Sequence, residues 1–188
     1  MQKRNFFHNI LSLLCFMALG SCGDVTGEFS RRPCRVIIEN INDPTLGSAL
    51  NPMVSGVFCM IEMTHKGGAA HYHCTSNQGL TSDIPWTELD KRRNPIMGLN
   101  NGIIVGHGSL DQTFFAYDRE CPNCFDPDAI PIKSKPLRMN NIGRAICDIC
   151  KREYDMNNRG IVVKGEAGNK LTRFRASTTG PHGALIVQ

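Results

Sequence analysis

Two Cys-x-x-Cys units, Cys121-Pro122-Asn123-Cys124 and Cys147-Asp148-Ile149-Cys150, constrain this chain more than any other feature. Together they read C-x2-C-x22-C-x2-C. A two-residue spacer lets the backbone curl until both sulfurs converge on one point, with main-chain N–H groups turned toward them. Two such knuckles supply four sulfurs, a closed tetrahedral ligand set for one metal centre. The pattern is specific for a metal and much less so for which metal, since Zn and Fe–S centres both accept tetrahedral thiolate. Two other readings stay open. A pair of structural disulfides does not account for the duplicated spacing. A redox-active Cys-x-x-Cys should open a helix whose N-terminus lowers the thiol pKa, yet Phe125-Asp126-Pro127-Asp128 follows one pair and the β-like Lys151 to Asp155 follows the other.

The rest of the chain is built for strands. Pro127, Pro131 and Pro136 exclude a long helix between the knuckles. Strand candidates are Cys34 to Glu39, Val54 to Thr64 paired with Ala70 to Thr75 across His65-Lys66-Gly67-Gly68, Gly102 to Gly106, Thr113 to Asp118, Ile161 to Lys164, Leu171 to Ala176 and Ala184 to Gln188. A further strand opens just after the second knuckle. Asn40 to Pro52 reads as an irregular connection, and Ile84 to Asn94 as a short helix or helical turn. Short strands separated by Gly and Pro, with almost no 3.6-residue period, predict an all-β antiparallel sandwich or barrel.

The amino-terminal residues read as an export signal. Lys3 and Arg4 precede an apolar run from Phe6 to Leu19, shorter than the ~18 residues that cross a bilayer. Leu19-Gly20-Ser21-Cys22 resembles a bacterial lipobox, which leaves Cys22 to carry lipid chains. The expected organisation is a lipoprotein signal peptide over 1–21, a lipidated N-terminus and flexible tether over 22–32, and a β domain over 33–188 with its metal-binding loops at 119–151. The protein is then a membrane-anchored lipoprotein of the cell envelope, on the periplasmic or outer-membrane surface side. Without Lys3 and Arg4 the formal charge falls from +4 to +2, too small to suggest a nucleic-acid partner.

Export also places the cysteines where disulfides persist. Cys59 and Cys74 lie on the two arms of the expected hairpin and form a candidate disulfide, against two buried thiols. Cys34 has no evident partner. His71 and His73 share one face of a strand but lack a third ligand nearby in sequence. Arg119, Arg144, Lys151 and Arg152 flank the knuckles, either offsetting the net −2 of four thiolates on a divalent ion or standing as solvated loop charges. No Ser-His-Asp order, carboxylate pair or phosphate loop rises above background, which gives little support for a hydrolase or transferase.

Cys147 to Ser177 resembles the second half of a Rieske domain. Tyr154-Asp155, Gly160, Gly165-Glu166-Ala167, Leu171 and Phe174 fall where that family has an aromatic-Asp pair, a glycine turn, a Gly-Pro-Ala-like loop and a closing strand. Phe114 to Cys124 is similar to the strand and first ligand loop, and the likeness extends to Rieske-related lipoproteins of Bacteroidetes-type bacteria. It implies a Rieske-like fold with a small metal-binding loop subdomain of zinc-ribbon or rubredoxin-like knuckles, two loops facing each other at one end. The Rieske cluster takes two His ligands on one iron, whereas this chain has Cys124 and Cys150 at those places, so that cluster cannot assemble here. The loop at Gly165 to Gly168 lacks the family's Pro and is expected to shield the site less rigidly. The resulting expectation is Zn2+ on Cys121, Cys124, Cys147 and Cys150 in a binding or scaffold module for an unknown envelope protein. The alternative is Fe or a four-Cys [2Fe–2S] cluster passing electrons to a redox partner.

Overall fold

A computed structural model of the protein describes residues 27–39 and 42–188. The expected export signal over 1–21 and the expected lipidation site Cys22 lie outside the described residues. Among the described residues the chain is mostly β, in three antiparallel sheets with two short helices.

The central sheet follows from β5 (Gly102–His107), a six-residue strand buried on every residue. A strand alternates its side chains between two faces, and both faces of β5 are apolar. Ile103 and Val105 enter one core, and Ile104 enters another. A strand covered on both sides sits inside a sheet, and β5 lies between β6 (Phe114–Asp118) and β2 (Phe58–Lys66). The full order is β11 (Arg173–Phe174), β6, β5, β2, β3 (Ala69–Ser76) and β4 (Thr81–Pro85). The β2–β3 hairpin pairs Cys59 with Ser76 through to Lys66 with Ala69. Its turn is Gly67-Gly68, both at positive φ (+60° and +81°), as a tight two-residue hairpin turn requires.

One face of this sheet is covered by β1 (Val36–Glu39), β13 (Ala184–Val187) and β12 (Ala176–Thr178), and by helix α1 (Pro44–Leu50). The helix corrects the expectation of an irregular connection. Asp43 caps it by accepting from the Leu46 N–H at 2.8 Å, Pro44 occupies the first turn, and Leu46, Ala49 and Leu50 are fully buried. Asp-Pro here starts a helix, because a proline in the first turn forfeits no intrahelical hydrogen bond. The other helix, α2 (Glu88–Arg93), falls inside the expected Ile84 to Asn94 and opens on a Thr87/Asp90 capping box.

The opposite face is covered by a four-stranded sheet in the order β10 (Ile161–Lys164), β9 (Glu153–Asp155), β8 (Arg144–Cys147), β7 (Leu137–Met139). Phe58, Ile104, Phe115 and Tyr117 meet Leu137, Ala145, Tyr154 and Leu171 there, and Cys121 and Cys147 belong to this second core. The expected strand from Leu171 to Ala176 is two strands. β11 pairs with β6 of the central sheet and β12 with β13, with Arg175 bonded to Gln188 between them (2.9 and 2.8 Å).

The amino-terminal segment also departs from expectation. Instead of hanging free, it docks from residue 28 on. Ser30 N–H donates to Arg173 O at 2.7 Å, Glu28 pairs with Arg173 at 2.6 Å, and Phe29 lies beneath the guanidinium groups of Arg173 and Arg175 at 4.9 and 4.7 Å. A single aromatic in an otherwise polar stretch finds two cations to stack on.

Candidate metal centre

The two knuckles grow from different elements. The first follows β6, whose last residue, Asp118, accepts from the Leu99 and Glu120 N–H groups with its buried carboxylate. Its curl is closed by Cys124 N–H (3.1 Å) and Phe125 N–H (2.9 Å) donating to Cys121 O. The second is the connection between β8 and β9. There Cys147 N–H donates to Arg152 O, Lys151 N–H donates to Cys147 O (both 3.0 Å), and Lys151 takes the left-handed conformation (φ +59°).

All four sulfurs of Cys121, Cys124, Cys147 and Cys150 lie within 4.8 Å of one another. Cys121 and Cys150 are 3.8 Å apart, as are Cys147 and Cys124, so each close contact joins one knuckle to the other. These separations exceed a disulfide bond of about 2.0 Å, and all four side chains are free thiols. The four cysteines are brought together as a group that could hold a metal ion. Cys121 and Cys147 are buried, and Cys124 and Cys150 are partly exposed.

Polar neighbours reach the sulfurs from one side. Tyr154 is fully buried and donates to Cys121 Sγ at 3.2 Å while accepting from Asn123 Nδ2 at 2.9 Å. Asn123 also donates to Asn169 O and accepts from Asn169 N–H (2.8 and 2.9 Å). Arg152 bonds to Cys150 and donates to Glu166 O at 2.9 Å and Ala167 O at 3.2 Å. Far from loose, the Gly165 to Asn169 loop is tied to both knuckles. A Cβ at Gly168 would stand 2.5 Å from Asn123 Oδ1, which accounts for glycine at that close approach.

These surroundings set the thiol chemistry. Burial pushes Cys121 up to about 11 despite the Tyr154 hydrogen bond, and burial followed by its contact with Cys150 pushes Cys124 up to about 12. Burial also acts to raise Cys150, but hydrogen bonds from the Arg152 side chain and N–H outweigh it and bring the thiol down to about 6. A divalent ion inverts the cost for the other sulfurs, since a coordinating thiol is deprotonated outright.

The four cationic residues that flank the knuckles part company. Arg152 serves the sulfurs. Arg119 turns away to pair with Glu62 and, at 3.1 Å, with Glu120. Arg144 lies on β8, and Lys151 is exposed. Glu120, 1% exposed, is a site residue the sequence does not announce. It accepts from Asn100 Nδ2 (2.9 Å), Ser134 Oγ (2.6 Å) and the Lys135 N–H, and so fastens the far end of the first knuckle's loop. Asn123 likewise gives no local signal, because its partners lie 31 and 46 residues away.

Other candidates fall outside this centre. Cys59 and Cys74 are buried free thiols on one face of the β2–β3 hairpin, diagonal in register, opposite Ser76 and Ile61 respectively, and their thiols donate to Met60 O and Tyr72 O. His73 pairs with Asp83 at 2.8 Å and His71 with Ala69 O at 3.0 Å. Cys34 is buried, and burial raises its thiol to about 11.

Arg152→Ala should release the covering loop without removing a ligand. Amide exchange at Gly165 to Asn169 is expected to quicken by about tenfold, the equivalent of roughly 1.4 kcal/mol of local stability. Unchanged exchange there would mean that Asn123 alone holds the loop.

Fold and site define a mostly-β protein with a cluster of four cysteines able to bind a metal ion. The chain matches no protein-family model and no curated protein sequence.

Proposed function

We propose that this chain is an exported, lipid-anchored envelope protein with a Rieske-like β domain. Cys121, Cys124, Cys147 and Cys150 hold one structural Zn2+, and the domain serves as a binding or scaffold module for another envelope component. The observation that carries the metal is the sulfur geometry. A Zn–S bond of about 2.3 Å implies a tetrahedral S···S edge of about 3.8 Å, and both close sulfur pairs are 3.8 Å apart. Four thiolates leave no open coordination position, which suits a structural ion rather than a catalytic one. The ion would supply a cross-link between the loop after β6 and the β8–β9 connection.

The Rieske-like reading is supported by where the resembling residues lie. Tyr154 touches Cys121, the loop of Gly165 and Ala167 is pinned to both knuckles, and Leu171 packs in the same core as Cys121 and Cys147. The two ligand loops face each other, as that family's pattern implies. Export and the Cys22 anchor rest on the sequence of the first 22 residues.

A second reading, iron in a rubredoxin-like Fe(S4) centre, draws on two observations. Tyr154 and Arg152 donate to the sulfurs, and Cys124 and Cys150 reach the surface. Hydrogen bonds to sulfur and solvent exposure both tune iron–sulfur potentials. A [2Fe–2S] cluster suits the arrangement less, because its thiolates divide between two irons while these four are mutual neighbours. Colour separates the metals. Protein from cells supplied with both zinc and iron is expected to be colourless above the aromatic absorption, and thiolate-to-iron bands in the visible would make electron transfer the working function.

A further inference from the structure

Ile130, at 99% exposed, is the most exposed large apolar side chain among the described residues, and Ile132 follows it at 54%. Both lie on the strap between Cys124 and β7, in the run Ala129-Ile130-Pro131-Ile132-Lys133-Ser134-Lys135. Lys133 is exposed and Lys135 partly so. Of the strap's carboxylates, Asp128 is paired with Arg32 at 2.6 Å, and Asp126 accepts from the Asp128 N–H. An apolar tip backed by cations is the composition that enters the interfacial layer of an anionic bilayer.

The position of the N-terminal segment selects the occupant. The Arg32–Asp128 pair ties the strap to a segment that Glu28, Phe29 and Ser30 clamp onto Arg173. Cys22 lies five residues before Gly27, an extended reach of at most about 18 Å. An anchor on Cys22 therefore holds the strap side of the protein close to the membrane.

We propose that this strap is a membrane-contacting loop, in which Ile130 and Ile132 enter the surface of the bilayer and Lys133 and Lys135 meet anionic headgroups. The inference rests on the Cys22 anchor for its orientation. It gives the protein a second membrane signal beside the lipid chains and turns the covered side of the four-cysteine site toward the bilayer, since Asn169 of the covering loop and Gly27 line the same cleft.

The test uses the full processed chain on vesicles of phosphatidylglycerol and brominated phosphatidylcholine at saturating lipid. In a Trp86→Phe background, one tryptophan replaces Ile130 or, as control, Leu110. Leu110 is 72% exposed in the β5–β6 turn, at the end of β6 away from the knuckles. Emission from position 130 is expected to fall at least about twofold while that from position 110 is unchanged. Equal quenching at both positions, or none at position 130, overturns the proposal. Cosedimentation of Cys22→Ser judges the anchor separately. Its loss in that variant supports the anchor, whereas undiminished cosedimentation refutes the anchor and leaves the strap to be judged by the quenching.

Discussion

Serine at position 147 is expected to lower the melting temperature by about 10 °C and to make it indifferent to chelators. Cys147 is fully buried at the end of β8, with its sulfur 3.8 Å from Cys124. A ligand that binds only the native state stabilises it by RT ln(1 + [L]/Kd), about 4 kcal/mol when free metal stands a thousandfold above Kd. In a chain of this size each kcal/mol moves the midpoint by about 2–4 °C. Wild-type protein stripped by a chelator should fall by a similar amount, and the variant should not respond to the chelator at all. The sheets should survive in both, because the two cores rest mainly on apolar side chains outside the centre. A wild-type protein as chelator-insensitive as Cys147→Ser would mean that no ion cross-links the loops.

The second large effect lies beside the cysteines. Arg119→Ala is expected to destabilise the protein by about 3–5 kcal/mol, because it strands Glu120 as an uncompensated buried charge. The Arg119 side chain is 14% exposed and that of Glu120 only 1%. With a urea m-value of about 2 kcal/mol/M, the midpoint drops by about 2 M. Glu62→Gln removes the other, more exposed partner of Arg119 and should cost about 1 kcal/mol or less. Because Glu120 also accepts from Ser134 and Lys135, the strap is loosened in Arg119→Ala and its metal affinity falls as well. Equal costs for the two substitutions would place Glu120 in contact with water.

What the sequence made legible was local. The Cys-x-x-Cys spacings announce their convergence because each knuckle is four residues long, and the β2–β3 hairpin is announced by Gly67-Gly68 between alternating strands. The α1 segment carried its own signal. Asp43-Pro44 is a cap and a first-turn residue, and Leu46, Ala49 and Leu50 recur at i, i+3, i+4; the density of Asn, Asp, Pro and Gly hid it. The four-stranded sheet was harder, being made of three- and four-residue strands. Such strands are too short to show a period: β10 and the strand after the second knuckle are still legible from their β-branched and aromatic residues, whereas β8 passes unnoticed before the second knuckle.

The roles of the charges were not legible at all. Arg119 stands two residues before the first knuckle and Arg152 two residues after the second, yet one serves a buried carboxylate and the other a thiol. The difference is set by Glu62 on β2 and by the Gly165 to Asn169 loop, partners that only the tertiary fold delivers. The docked segment at Glu28 to Ser30 is similar, because Phe29 acquires its cations from β11 and from Arg175.

The central claim is that four cysteines from two loops hold one ion, and elemental mass spectrometry of the full chain purified without chelator tests it most directly. One zinc per chain, absent from Cys147→Ser, is the predicted result. Protein that carries no stoichiometric metal, with its four sulfurs recovered as two disulfides, would contradict it.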